Sequence, residues 1–491
     1  MNQVVIVDSG VANLASVKSA LYALGVKGIV TNDPDMVREA SHVVLPGVGQ
    51  FKTGIESIRN QNLDQAILNI HKKEIPLLAI CLGMQMLGEG SDESPGIPGL
   101  AIFPGRFVRL PSSVRVPHLG WNQVEAESQS NLKPSMAAFA NSYCLTKVPE
   151  GWSAAWTTHG LRFVSALARG RTLACQFHPE LSGEFGIGII KRWLAGEPLE
   201  SEIHTWGSKI KNIETRTLDA SLETTATEDE SLSKTKRYAL NQVARRIVPC
   251  LDVKNGRVVK GVQFQNLRDS GTPSIQAGLY EQQGADEIVV LDVAASPEEQ
   301  KTQLETVSSV RDSIHIPLTV GGGVRTVNDA RNLLSAGADK VSVNTAAVRD
   351  PTLIKHLAQA FGSQCIVLAI DARQDGNHWD TLIMGGREST GINAIEWAQQ
   401  GNHMGAGEIL LTSWDRDGTR SGCDLELIRK IHDSVTVPVI ASGGVGTKDD
   451  VAAAFKSGAD AVLAASVFHD GDLTVANIKN FLEAEGIVVR I

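Results

Sequence analysis

Apolar residues along this chain fall into short runs, each closed by glycine or a polar turn and followed by a stretch with helical spacing. In the first third, "QVVIVDSG", "SHVVLPGVG" and "IPLLAICLG" set the pattern. Continuous Val/Ile/Leu runs of this length predict strands buried on both faces, and their alternation with helices predicts a mostly parallel, doubly wound sheet. Trp and Pro are denser between 95 and 160, and shorter strands such as "WSAAWTTH" and "TLACQFH" predict a mixed sheet region. The alternation stops at residues 197–243. That stretch includes "IETRTLDASLETTATEDESLSKTKR", has too few large apolar side chains to offset the entropy of ordering it, and reads as a linker.

Beyond it, eight strand candidates follow in order, at 247–253, 287–293, 316–322, 340–345, 365–372, 408–414, 438–444 and 461–466, each with room for a helix after it. Eight such units in about 250 residues predict a (β/α)₈ barrel. An internal repeat supports this. "GADEIVVLD" from Gly284 aligns with "GAGEILLTS" from Gly405, "PLTVGGGVRT" from Pro317 with "PVIASGGVGT" from Pro438, and Gly337 with Gly458, every pair 121 residues apart. The barrel therefore reads as two duplicated halves. The predicted organisation is a doubly wound α/β domain at 1–196, a linker at 197–243 and a barrel at 244–491.

Composition narrows the chemistry. A chain of 491 residues with 42% hydrophobic and 21% charged residues has material for two or three globular domains. The net charge of −9 comes with no basic block, which argues against nucleic acid and anionic membranes as partners and favours small-molecule chemistry. Six cysteines stand far apart with no CxxC pair, so neither a disulfide framework nor a Cys-ligated zinc site is expected, and the compartment is read as reducing. The chain enters a strand directly at its start and carries no apolar stretch of about 18 residues, so a cytoplasmic protein is expected. No cofactor and no metal are called for.

Three motifs in the first domain suggest nucleophilic chemistry. "LAICLGMQML" runs from strand through a glycine-bearing turn into a helix, a geometry that lifts Cys81 over a helix N-terminus and favours its thiolate. A free cysteine more often fills core space. The balance shifts with "CQFHPE", where His178 and Glu180, two apart at a strand end, can supply a base and the carboxylate that orients it. "LPGVGQF" adds a turn, Gly47-Val48-Gly49, whose backbone N–H groups can face an oxyanion.

In the barrel, Asp252 and Asp371 end the first and fifth strands, which lie opposite each other at the C-terminal mouth. One such Asp is an ordinary turn cap; two placed alike in both halves read as a general acid and base. "VGGGV" and "SGGV", followed by "NTAAV" and "ASVF", are glycine-rich strand ends before helix N-termini, and their repetition predicts two phosphate sites and a long bisphosphate substrate.

These residues carry a resemblance. "LPGVG", "CLGMQ" and "QFHPE" resemble the class I, triad-type glutamine amidotransferases over the first 200 residues. That resemblance implies Cys81 as nucleophile, His178 as base, Glu180 as its orienter and Gln85 as a glutamine-binding residue. "RRIVPCLDV", "GRVVKG", "GADKVSVNTAAV" and "DRDGTRSG" resemble the phosphoribosyl barrels of histidine biosynthesis, in particular the cyclases of imidazole glycerol phosphate synthases, and the whole resembles the bifunctional fusion of the two. The resemblance implies acid/base chemistry on Asp252 and Asp371 with support from Lys260 and Asp417. Phosphate contacts are implied at Gly322, Gly323 and Thr345, and at Ser442, Gly443, Gly444 and Ser466. A ring of four charges at the foot of the barrel, Arg246, Glu287, Lys340 and Glu408, is implied where ammonia enters, with the glutaminase docked on that face. Substrates are then glutamine and a bisphosphate ribonucleotide, with the two domains as each other's partner.

Four positions depart from the pattern: Ala12, Asn141, Leu181 and Trp414. None removes a catalytic group, but Asn141 and Leu181 fall where coupling between domains is expected. Among rivals, the sugar-isomerising barrel of the same pathway needs no ammonia and so no glutaminase. An idle scaffold would be supported by loss of Cys81, His178, Asp252 or Asp371, and none is lost. A third alternative is a cyclase working on external ammonia beside a silent glutaminase half, given the departures at Asn141 and Leu181.

Overall fold

A computed structural model describes residues 3–10, 13–126, 135–196, 243–262, 265–293 and 304–491. The expected linker, Val243 apart, lies outside these residues, as do Ala12 and the side chain of Lys260.

The first domain is built on one nine-stranded sheet, whose strands are β1 (Val4–Val7), β2 (Gly28–Thr31), β3 (His42–Leu45), β4 (Leu77–Ile80), β7 (His118–Ala126), β8 (Ser135–Asn141), β10 (Ser153–His159), β11 (Leu161–Arg169) and β12 (Thr172–Cys175). The short strands β5 (Gly90–Ser91), β6 (Arg106–Arg109) and β9 (Tyr143–Cys144) form a small side sheet. The main order is β2-β1-β3-β4-β12-β11-β10-β7-β8, parallel from β2 to β12 and antiparallel beyond. The parallel strands are four-residue apolar runs, and β1, β3 and β4 are buried throughout, as strands covered on both faces must be.

The second domain closes on itself. Eight parallel strands, β13 (Arg246–Lys254), β16 (Ile288–Asp292), β17 (Leu318–Gly321), β18 (Lys340–Val343), β19 (Ile366–Asp375), β22 (Glu408–Ser413), β23 (Val439–Ser442) and β24 (Ala461–Ala464), pair in sequence order, and β24 returns to β13 with Ile247 opposite Val462. The repeat is visible in the register. Thr319 pairs with Lys340 and Ile440 with Ala461, the same step in each half. A small inner cluster including Val248, Val289, Val367, Leu410 and Ile440 fills the barrel, and a larger one lies between strands and outer helices.

Two hairpins at the mouth were not foreseen. β14 (Arg257–Val262) with β15 (Gln265–Gly271) follows the first strand, and β20 (His378–Ile383) with β21 (Glu388–Asn393) follows the fifth. Both strands run on past the barrel wall, so that Asp371 pairs with Leu382 of β20. Lacking the apolar runs of the wall strands, these segments carried no strong period.

The first domain sits on the N-terminal end of the barrel. Trp121 Nε1 donates to the carbonyl of Asp286 at 2.8 Å, just before β16, and the Arg490 guanidinium lies 4.1 Å from the indole ring centroid. Asn13 donates to Asp339 and to the Ala338 carbonyl, just before β18. Ser19 donates to the Arg311 carbonyl and the Gly183 amide to that of His315.

Candidate active sites and the passage between them

Cys81 stands between β4 and the helix Leu82–Leu87 at φ 53°, ψ −108°, a conformation that a side chain adopts only under constraint. The constraint is close packing. A Cβ on Gly83 would meet the Leu45 carbonyl oxygen at 2.0 Å, so only glycine lets this helix lie against the end of β3. The Cys81 amide is fixed to the Cys175 carbonyl of the adjacent β12 at 2.7 Å.

β12 ends at Cys175, three residues short of the expected strand end. His178 begins a single 3₁₀ turn, Pro179–Leu181, where proline cannot continue a ladder. His178 and Glu180 therefore meet across a turn and not along a pleat. The turn is pinned by Ser182, whose hydroxyl donates to the His178 carbonyl at 2.6 Å and accepts from the Ala138 amide at 3.0 Å. His178 Nδ1 donates to Glu180 Oε1 at 2.8 Å, and the Cys81 sulfur lies near enough to act on the ring's charge. Burial alone would pull the imidazolium down, but the Cys81 sulfur and the Glu180 carboxylate outweigh it and hold the His178 pKa well above its ordinary value.

Gln85 is buried with its amide on the Tyr143 carbonyl (3.5 Å) and on Gln176 Oε1 (3.3 Å), and Gln176 Nε2 lies 3.7 Å from the Cys81 sulfur. Gln176 sits inside the quoted "CQFHPE" yet was not singled out. The turn Gly47-Val48-Gly49 lies beside the helix that follows Cys81, the Gly47 carbonyl accepting from the Leu82 amide at 3.2 Å. Gly49 has φ +95° and rests on the backbone of Phe361 in the barrel domain. Asn141 donates to the Tyr143 carbonyl, and Leu181 packs on the barrel's hydrophobic cluster.

At the mouth of the barrel, Asp371 shares a cavity of about 510 Å³ with Gly322, Gly323 and Thr345, and accepts from Asn344 Nδ2 at 3.0 Å. Asp252 lines a smaller one, about 90 Å³, with Asp417, Ser442, Gly443, Gly444 and Ser466. Leu291, Leu410 and Thr412 line both, so the two are ends of one trough. Burial, with the charge of Asp417 adding to it, pushes Asp252 and Asp371 each up to about 7. Glycine is required in the second loop. A Cβ on Gly444, at φ +91°, would meet the Gly422 carbonyl oxygen at 2.2 Å. Trp414 packs over Gly386 in the turn between β20 and β21, which has no side chain to obstruct it.

At the opposite end Arg246, Glu287, Lys340 and Glu408 form a closed buried ring. Arg246 bonds Glu287 at 2.7 Å and Glu408, and Lys340 bonds Glu287 at 2.6 Å and Glu408 at 2.5 Å. Although burial opposes it, Arg246 and Lys340 hold Glu408 below the usual carboxylate range. A cavity of about 110 Å³ between the domains is lined by His178 and Val48 on one side and by Arg246, Glu287 and Lys340 on the other.

The geometry sets a domain with a buried Cys81, His178 and Glu180 cluster on the foot of a barrel whose mouth carries two carboxyls and two glycine-rich loops. Comparison with known families gives the same division. Residues 5–194 match the class-I glutamine amidotransferase family, and residues 246–474 match the family described as histidine biosynthesis protein. The chain belongs to both families, as a fusion of a class I glutamine amidotransferase with a histidine biosynthesis barrel, and is a glutamine-dependent enzyme of histidine biosynthesis whose two domains cooperate in one polypeptide. Among the described residues no helix is long and apolar enough to cross a membrane, and no group of three or more His, Cys, Asp or Glu is arranged to hold a metal ion.

Proposed function

We propose that the chain is an imidazole glycerol phosphate synthase. It hydrolyses glutamine at Cys81 and delivers the ammonia through the barrel to a bisphosphate ribonucleotide. The observation that carries this reading is the cavity with His178 at one end and the charged ring at the other.

Cys81 attacks the side-chain amide of glutamine, forming a thioester as the C–N bond breaks. His178, holding the thiol proton, gives it to the leaving nitrogen, so that the product is neutral ammonia; water then cleaves the thioester to glutamate. Ammonium has no lone pair, so a dry route preserves the nucleophile. Passage requires the ring to part at one of its four contacts. In the trough, ammonia displaces the aminoimidazole carboxamide ribonucleotide and the imidazole ring closes. Two carboxyls with pKa about 7 offer one proton donor and one acceptor together near neutral pH. The glycine loops hold the two phosphates, and the domains divide as 1–196 and 244–491.

The test follows glutamate release and imidazole glycerol phosphate formation together, with and without the bisphosphate, in wild type and Cys81→Ala. Release is expected to rise with the bisphosphate, and Cys81→Ala to lose glutamine-driven synthesis while keeping synthesis from added ammonia. No product from either nitrogen source would overturn the substrate assignment.

A further inference from the structure

The two half-barrels are completed differently at their feet. In the first half, Arg311 ends the helix Leu304–Arg311 and turns its guanidinium into the helix–strand junction. Nη2 donates to the carbonyls of Ile314 (2.6 Å) and Ile316 (2.9 Å), and Nη1 bonds Asp339 Oδ2 at 2.9 Å. Asp339 in turn accepts from the Leu318 amide at the start of β17. The side chain is 2% exposed.

Adding 121 to each number gives the second half: His432, Val435, Val437, Val439 and Asp460. The carbonyls and the aspartate are retained, and the Val439 amide donates to Asp460 Oδ2 at 3.0 Å as Leu318 does to Asp339. The arginine is not; its place is taken by histidine. Arg245 of the barrel domain bonds Asp460 Oδ1 at 2.6 Å but does not bond the two carbonyls; a second guanidinium does. Arg115, from the first domain, donates through Nη1 to the carbonyls of Val435 (3.1 Å) and Val437, and its Nε lies 3.3 Å from Asp460 Oδ2. Nη2 donates to His432 itself, at Nδ1 and at the carbonyl. The adjoining Val116 amide donates to the Thr436 carbonyl at 3.2 Å.

We infer that Arg115 is a guest arginine: the second half-barrel holds its aspartate through Arg245 but lacks the guanidinium that bridges carbonyls and carboxylate in the first, and the glutaminase domain supplies it on docking. A planar fork is needed, since two carbonyls and a carboxylate must be met at once, which a lysine ammonium on a flexible stem does poorly. Glycine is required beside the helix-end side chain in both halves: a Cβ on Gly337 would collide with Arg311 at 2.6 Å, and one on the equivalent Gly458 with the His432 ring at 2.5 Å. Docking and the folding of this junction are thereby one event, which ties the order of the second phosphate half of the barrel to the presence of the first domain.

Hydrogen exchange on the full chain, resolved over 314–320 and 435–441, tests this. Arg115→Ala is expected to speed exchange of the Val439 amide by about tenfold or more, with Leu318 unchanged. Arg115→Lys should resemble Arg115→Ala. Adding His432→Arg to Arg115→Ala restores an internal arginine, so protection at Val439 returns while the Val116 amide stays unprotected. Glutamine-driven turnover, relative to ammonia-driven turnover, falls in Arg115→Ala and is not recovered by the second change. Unaltered exchange at Val439 in Arg115→Ala would overturn the inference. So would a double variant that keeps Leu318 protected but fails to recover Val439.

Discussion

Asp252 and Asp371 stand at about 7 because burial, and then Asp417, penalise their ionised forms. A free aspartate titrates near 3.9. Between those values the folded chain keeps protons that the unfolded chain has released, so stability falls as pH rises from about 4 to about 7, and the full cost persists above. Asp252→Asn and Asp371→Asn should therefore each be more stable than wild type at pH 8, by on the order of 1–2 kcal/mol after allowing for water at the mouth, and by less at pH 5. Urea unfolding at the two pH values reads this, and equal stability at pH 8 would mean that the carboxylates ionise there without penalty. Each change is also expected to lower ammonia-driven synthesis by about 10²–10⁴-fold.

Strands and loops set the next level. Each of the four ring residues begins a barrel strand or immediately precedes one, so a single contact set ties four strands at the foot. Arg246→Met leaves Glu287 and Glu408 buried with Lys340 alone between them, and is expected to cost about 3–5 kcal/mol in chemical denaturation. A cost under about 1 kcal/mol would show that water reaches the ring freely. In the second phosphate loop, Gly444→Ala drives a Cβ into the Gly422 carbonyl. On the proposed phosphate role of this loop, it should raise KM for the bisphosphate by about tenfold or more, with kcat for bound substrate changed less.

The interface belongs to the whole molecule. Trp121 is among the largest fully buried side chains, donates to the Asp286 carbonyl and carries Arg490 over its face. Trp121→Ala is expected to cost about 3–5 kcal/mol and to lower glutamine-driven synthesis far more than ammonia-driven synthesis, because the trough lies at the other end of the barrel. Equal losses from both nitrogen sources would place its effect in the barrel and not in docking. The Gly47 carbonyl now faces the Leu82 amide, and Gly49 rests on Phe361. The turn beside Cys81 is thus held between its own helix and the barrel, so the packing of the two domains bears directly on its conformation.

The strands, the barrel and its duplication were legible in the sequence because each rests on a local period or a direct self-match. Cys81 and the two aspartates could be singled out at strand ends, and the 121-residue offset relates Glu287 to Glu408, but the ring of four was suggested by family resemblance alone, since nothing local joins Arg246 and Lys340 to it. The hairpins at the mouth were not legible, having no strong period. His178 and Glu180 were found by their motif, but the 3₁₀ turn that brings them together depends on Ser182 reaching across to Ala138. Arg115 was invisible, one arginine in a loop, because its partners lie more than 300 residues away. Local chemistry fixes which groups each domain carries; only the packing of one domain on the other decides which half-barrel completes itself and which borrows.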